Sequence, residues 1–236
     1  GELVILPAGN LYTVSLNVEE DQLLDWDKPL NEQPLSVQLA AKNHFKKTGF
    51  NIAPAMEMTG GEFYGYLQSY YQTGEDIGTS PKDSSLHLSL AGIRGIRYLD
   101  GNSRDTGEGS YNYVIFDDAD ITILEENGQP VDLAQRDTTF SISRTEITPT
   151  ANTRTFPTAN GGLVGPATFS IRAFHGTPYK VDRFSTDKIG TGEGAQAFGY
   201  GLYFADIKGT ARYYANALGS IQNQQNRWEW KTQFID

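Results

Sequence analysis

His175 is followed at once by a glycine, and the pair stands at the end of a short strand-like run, Ile171–Phe174. An imidazole beside bare backbone can offer a ring nitrogen to a ligand while the glycine lets that ligand approach closely. Further along stands Phe198-Gly-Tyr-Gly-Leu-Tyr-Phe-Ala-Asp206, and then Thr210-Ala-Arg-Tyr-Tyr214. A tyrosine after a glycine hinge, Tyr203, and a second on a following helix, Tyr214, could wall a flat ring from both sides. A lone histidine is ordinarily structural and an aromatic stripe ordinarily core. The order HG, then GYGLYFAD, then a helix bearing Tyr213 and Tyr214 favours a binding site over both.

Elements must hold these residues in place. Leu11–Val18 alternates with period two, so Tyr12, Val14, Leu16 and Val18 share one face of a half-buried strand. An acidic stretch, Glu19 to Asp27, separates it from a helix that starts after Pro34 and carries Val37, Ala41 and Phe45 at i, i+4, i+8 before Gly49. Thr59 and Glu62 have capping-box spacing ahead of Phe63, Leu67 and Tyr70. Ser80-Pro81-Lys82-Asp83 opens a third helix, which Gly92 should stop. Strands are expected at Ile96–Leu99, Tyr111–Asp117, Ile121–Leu124, Ile171–Phe174 and Leu202–Ala205, with a loop over Asp100–Ser110. Residues 126–170 hold nine threonines and four prolines with little periodicity, and read as a long surface connection with one short strand at Thr139–Ser143. A last helix is expected over Thr210–Leu218, stopped by Gly219.

Composition narrows the chemistry. The chain has 236 residues and no run near the ~18 apolar residues of a membrane span, so no membrane association is expected. No signal peptide is visible in GELVILPAGN. A formal charge of −10 disfavours a long grip on nucleic acid, although a nucleic acid is not excluded as an acceptor. Absence of cysteine removes disulfides, thiolate catalysis and sulfur-ligated metals. The three histidines, His44, His87 and His175, show no metal-site spacing. Gly190–Gly194 is glycine-rich but lacks the lysine of a P-loop and leads into an extended run rather than a helix, so phosphate-loop chemistry is not expected.

Taken together, FHGT at 174–177, FGYGLYFAD at 198–206 and ARYY at 211–214 resemble the NAD-binding core of the ADP-ribosyltransferases, on the poly(ADP-ribose) polymerase and diphtheria-toxin side. With SLAGIRGIRYLDGNSR (89–104) and GEGSYNYVIFDD (107–118), the chain looks most like the ADP-ribosyltransferase domains of large phage polyvalent proteins. The resemblance covers roughly residues 10–125 and 170–220. It implies an α+β fold, a split antiparallel β-sandwich with peripheral helices around a cleft that takes NAD as substrate. It also implies that His175 bonds the adenosine-side ribose, that Gly176 backbone, within FHGT ending at Thr177, holds the nicotinamide carboxamide, and that Tyr203 and Tyr214 sandwich its ring. Tyr213 is a rival for the second wall. Ala211 falls where the family has a serine or threonine, so Thr210 would serve only after a small shift. In YNYVIFD, Asn112 stands where the polymerases carry the catalytic glutamate of NEYIVYD, which speaks against chain elongation. Glu108 and Glu193, on glycine loops, are candidates for the missing carboxylate and otherwise solvated charges.

The blocks stand in a different order from the family's, where HG and GLYFAD precede the LYTVSLNV and YNYVIFD strands. The expectation is one circularly permuted domain: residues 1–125 form the family's C-terminal part, 126–169 the connection, and 170–236 its N-terminal part. A junction of two domain copies is the competing account. The expected activity is mono-ADP-ribosylation of an unknown macromolecular acceptor in a host bacterial cytoplasm. The alternatives are a weak or inactive module that binds NAD or ADP-ribose, and a structural domain of a phage polyprotein.

Overall fold

A computed structural model of the chain describes residues 9–47, 49, 51–70, 80–132, 170–190 and 196–217. The expected strand at Thr139–Ser143, the Gly219 stop and most of the 126–170 connection lie outside them.

The alternating segment forms β1 (Asn10–Leu16), with Tyr12, Val14 and Leu16 buried on one face. The apolar spacing after Pro34 becomes α1 (Leu35–Lys47), which buries Val37, Ala41 and Phe45. Thr59 Oγ1 accepts from the Glu62 N–H while Glu62 accepts from the Thr59 N–H, and this box opens α2 (Gly60–Tyr70). A second box between Ser80 and Asp83 opens α3 (Pro81–Ala91), with Pro81 in the first turn. Such a cap contributes about 1 kcal/mol. Gly92, at φ 95°, ends α3 in the left-handed conformation that a side chain would strain.

The remaining strands are β2 (Leu23–Asp25), β3 (Gly95–Leu99), β4 (Tyr111–Ile115), β5 (Ile121–Glu126), β6 (Gln129–Pro130), β7 (Ile171–Thr177) and β8 (Leu202–Ala205). A short α4 (Gly101–Arg104) and a final helix α5, over residues 208–217, complete the elements that concern the site.

Four local expectations change. The acidic stretch contains a strand: Leu23 and Leu24 are fully buried, and β2 runs parallel to β3. Asp100–Ser110 is not all loop, because Asp100 Oδ1 accepts from the Ser103 N–H and starts α4. The connection does not begin at Glu126. Asn127 (φ 54°) and Gly128 (φ 81°) make a two-residue turn that returns the chain into β6, as an Asn-Gly pair between strands should. Finally, β7 does not stop at Phe174 but continues through His175 to Thr177, paired with β1 along its whole length.

The eight strands of the described residues form one sheet in the order β2-β3-β4-β8-β7-β1-β5-β6, antiparallel except for β2 and β3. The fold is therefore α+β with one large, mostly antiparallel sheet. The two late strands β7 and β8 lie at its centre. They meet at one register position only, Phe174 opposite Ala205, so the sheet is nearly divided into two halves along that seam. One sheet face carries a core built with the helices: Phe45, Phe63, Leu67 and Leu88 against Ile96 and Val114. The opposite face buries Tyr12, Val14, Leu16, Ile115 and Phe204, with Val181 and Phe184 packed over them.

Candidate active site at the seam between β7 and β8

His175 sits on β7 opposite Tyr12 of β1, one residue past the single rung that joins the half-sheets. Its Nδ1 lies 2.8 Å from the main-chain oxygen of Tyr203. A carbonyl can only accept, so Nδ1 carries the proton and Nε2 presents a lone pair. Burial holds the imidazole below its ordinary value of 6.5, against the opposing influence of that hydrogen bond, which keeps the ring neutral at neutral pH. Among the described residues no partner faces Nε2. The ring rests edge-on to Phe184 at 4.9 Å and tilted against Phe204 at 5.6 Å.

Gly176 follows within β7 and packs directly beneath α5. A Cβ there would overlap the Ala211 main-chain oxygen and lie 2.7 Å from the Ala215 nitrogen. Only glycine permits this approach of strand to helix. Ala211 and Ala215 are buried at the contact. Thr177 is buried too, its Oγ1 accepting from the Tyr179 N–H at 3.3 Å. Thr210 lies in the first turn of α5, half-buried. Tyr213 and Tyr214 project from α5 into solvent, 70% and 54% exposed, with ring centroids 5.8 Å apart.

Asn112, Val114 and Tyr203 share a sheet face, as alternation along YNYVIFD implies. Asn112 lies opposite both Tyr98 of β3 and Ala205 of β8, and Val114 opposite Tyr203. His175 takes the other face, because its neighbour Phe174 is the residue aligned with Ala205. The imidazole and the Asn112 side chain therefore reach the seam from opposite sides. Gly176, on the Asn112 side, is the β7 residue that meets α5.

The loop before β8 is fixed by its own aromatics. Tyr203 Oη donates to the Gly199 oxygen at 2.7 Å and accepts from the Phe198 N–H at 3.2 Å. Tyr64 accepts from the Tyr200 N–H at 3.0 Å, and Ser85 donates to the Tyr200 oxygen at 2.7 Å. Tyr98 stacks on Phe198 at 3.9 Å and 9°, and the Arg104 guanidinium lies 4.5 Å above the Phe198 ring. Burial pushes the Tyr203 phenol up to about 12. Burial also raises Tyr98, with further contributions from the neighbouring Tyr203 and Tyr214 hydroxyls. Tyr203 and Tyr98 thus stay protonated, and Tyr214, although on α5, is close enough to act on Tyr98.

Tyr98, Phe198 and Arg104 join this cluster without a motif of their own to announce them. The signal for Tyr98 was its alternation with Ile96 on β3, and Phe198 stands first in the quoted FGYGLYFAD. Asp206, last in that run, closes β8 onto β4: its Oδ2 accepts from the Tyr111 N–H at 3.0 Å, and its own N–H donates to the Tyr111 oxygen at 3.1 Å. Burial raises its carboxyl, and Oδ1 is buried without a partner among the described residues. Glu108 is exposed on the loop before β4, whereas Glu193 lies outside the described residues. A surface hollow of about 440 Å³ lined by Glu57, Met58, Glu62, Gly65, Tyr66 and Ser69 belongs to α2 and its approach, and none of the expected site residues lines it. Among the described residues no group of three or more His, Asp or Glu is arranged to hold a metal, and no helix is long and apolar enough to cross a membrane.

Comparison of the chain with family models, with curated proteins and with solved structures gives no match.

Proposed function

We propose that this chain is an ADP-ribosyltransferase that consumes NAD as substrate and transfers a single ADP-ribose to a macromolecular acceptor. The observation that supports the reading is the meeting of β7, β8 and α5 at a seam one rung wide, where Gly176 and Tyr203 lie on the face that α5 covers and His175 bonds the Tyr203 main chain from the other face. The three motifs that resemble the family lie on separate elements, β7, β8 and α5, whose main chains adjoin at this seam, with the His175 ring across the sheet from the Tyr203 ring.

In this reading Nε2 of neutral His175 accepts from a ribose hydroxyl on the adenosine side. Main-chain groups of Gly176 and Thr177 take the carboxamide of nicotinamide, and Tyr203 and Tyr214 hold its ring, with Tyr213 beside them. Ala211 offers no hydroxyl at the family's position, so Thr210 is the available one. Asn112 bonds the nicotinamide-side ribose through its amide. Breaking the bond between nicotinamide and ribose builds positive charge on the sugar, which fixed dipoles around it stabilise. Orientation of the leaving ring by stacking supplies the remainder.

The central position of β7 and β8, with strands of the N-terminal block on both sides, supports one permuted domain rather than a junction of two copies. The fold is then of the split ADP-ribosyltransferase type, of the sort in phage polyvalent proteins, and the bacterial cytoplasm with its NAD pool is the compartment implied. A second reading, a module that binds NAD or ADP-ribose without turnover, is favoured by one observation: Asn112 is an uncharged amide at the centre of the sheet face.

Nicotinamide release from NAD by the purified chain, with His175→Ala as control, tests both. Release that depends on His175 supports the transferase. Thermal stabilisation by NAD without release supports the binding module. Neither effect sinks both readings.

A further inference from the structure

The other two histidines form a pair. His44 on α1 and His87 on α3 face each other, with His44 Nε2 3.4 Å from His87 Nδ1 and ring planes at 62°. They are 43 positions apart in the chain, so no sequence spacing announces them. Both rings are partly exposed on the flank of the helical layer, away from the seam. The separation is long for a nitrogen–nitrogen hydrogen bond, since such bonds run about 2.7–3.2 Å. It matches another geometry. Two imidazole nitrogens bound to one zinc at about 2.0–2.1 Å and a tetrahedral angle stand about 3.3–3.4 Å apart.

We propose that His44 and His87 form a two-imidazole site for a divalent transition metal ion of the zinc–nickel–copper class, clamping α1 to α3. Imidazole suits these ions, and water completes the coordination. The facing nitrogens, His44 Nε2 and His87 Nδ1, are the two that would bind the ion, and a proton on either moves to the other nitrogen of its ring on binding. Lys47 opposes a bound cation electrostatically. Asp83, one turn before His87 on α3, favours one, and it is the charge that acts on His87 against desolvation. A metal held here ties together helices that otherwise meet through side-chain packing, and it stabilises the folded chain by mass action.

Calorimetric titration of the full chain with zinc chloride or nickel chloride at pH 7.5 tests this. One ion per chain is expected, with affinity lowered about tenfold or more in His44→Gln and in His87→Gln, and unchanged in His175→Gln. Equal affinity in wild type and His44→Gln overturns the proposal, as does absence of binding in wild type at millimolar metal. A measurement on the unaltered chain removes dependence on the variants' folding. Nickel should broaden the imidazole proton resonances of His44 and His87 and spare those of His175; uniform broadening of all three, or of none, overturns the assignment.

Discussion

His175 donates through Nδ1 to the main-chain oxygen of Tyr203 at 2.8 Å, across a seam where β7 and β8 share only the Phe174–Ala205 rung. The side chain thus replaces a backbone rung, and the same bond sets its tautomer. His175→Ala removes both. Nicotinamide release is expected to vanish, while the loss of one hydrogen bond costs about 1 kcal/mol and leaves the protein folded. Release undiminished in the variant, measured by chromatography, sinks the site assignment.

Tyr214 separates a functional from a structural role more cleanly, because it is 54% exposed. Tyr214→Ala should shift stability by no more than about 0.5 kcal/mol, as for other surface substitutions. Release, if Tyr214 holds the ring, should fall by about tenfold or more. An unchanged rate with an unchanged melting temperature would assign the stacking role elsewhere, Tyr213 being next on the helix.

Asn112 makes a gain-of-function test possible. Asn112→Glu restores a carboxylate on the face shared with Tyr98 and Val114, and release should rise by about a hundredfold if charge stabilisation is what the native amide lacks. A rate equal to or below wild type in a folded variant contradicts the alignment of YNYVIFD with the polymerase strand.

Glycines at two positions should respond with opposite sign. At Gly176 a Cβ meets the Ala211 backbone, which cannot swing aside, so Gly176→Ala should cost about 2 kcal/mol or more by displacing α5. Gly65 sits inside α2 with open space around it, and Gly65→Ala should add about 0.8–1.0 kcal/mol. Urea denaturation of both variants checks the pair; equal effects would put α5 elsewhere.

Acid should weaken the fold earlier than a carboxylate count suggests. His44, His87 and His175 are all lowered below 6.5, so the unfolded chain binds protons more readily than the folded one. Their contribution is complete above that value and is lost as pH falls through the folded-state values, so the melting temperature should drop from about pH 7.5 to about pH 5.5. Asp206, raised by burial, acts with the opposite sign lower on the scale. A flat profile between those two pH values contradicts the assignment of three neutral histidines.

The sequence carried most of the helices because their signals are local: caps at Ser80 and Thr59, a stop at Gly92, and spacing such as Val37-Ala41-Phe45. Strands that alternate were legible for the same reason. β2 was not, since its three residues are too few for a period and lie in an acidic stretch, and their strand character comes from pairing with β3. The Asn127-Gly128 turn has the residue types of a hairpin turn, but the Thr/Pro-rich stretch that follows obscures it. At the site, His175, Gly176 and Tyr203 stood out through motif and order. Their division between two faces of the sheet did not, because register across β7 and β8 is fixed by tertiary pairing that a single segment does not encode. The Tyr98–Phe198 stack joins residues a hundred apart and was beyond local reading.

The placement of β7 and β8 has a kinetic consequence. The two central strands are contributed by residues 171–205, yet the strands on either side of them, β1 and β4, come from the first half of the chain. During synthesis β1 and β4 each leave the ribosome with an unpaired edge, and these edges stay open until the last quarter of the sheet's sequence has emerged. Contacts so distant in sequence form slowly, and open edges invite association with other chains in the interval. A nascent chain of this topology gains from rapid completion or from a chaperone that covers the β1 and β4 edges until the centre arrives.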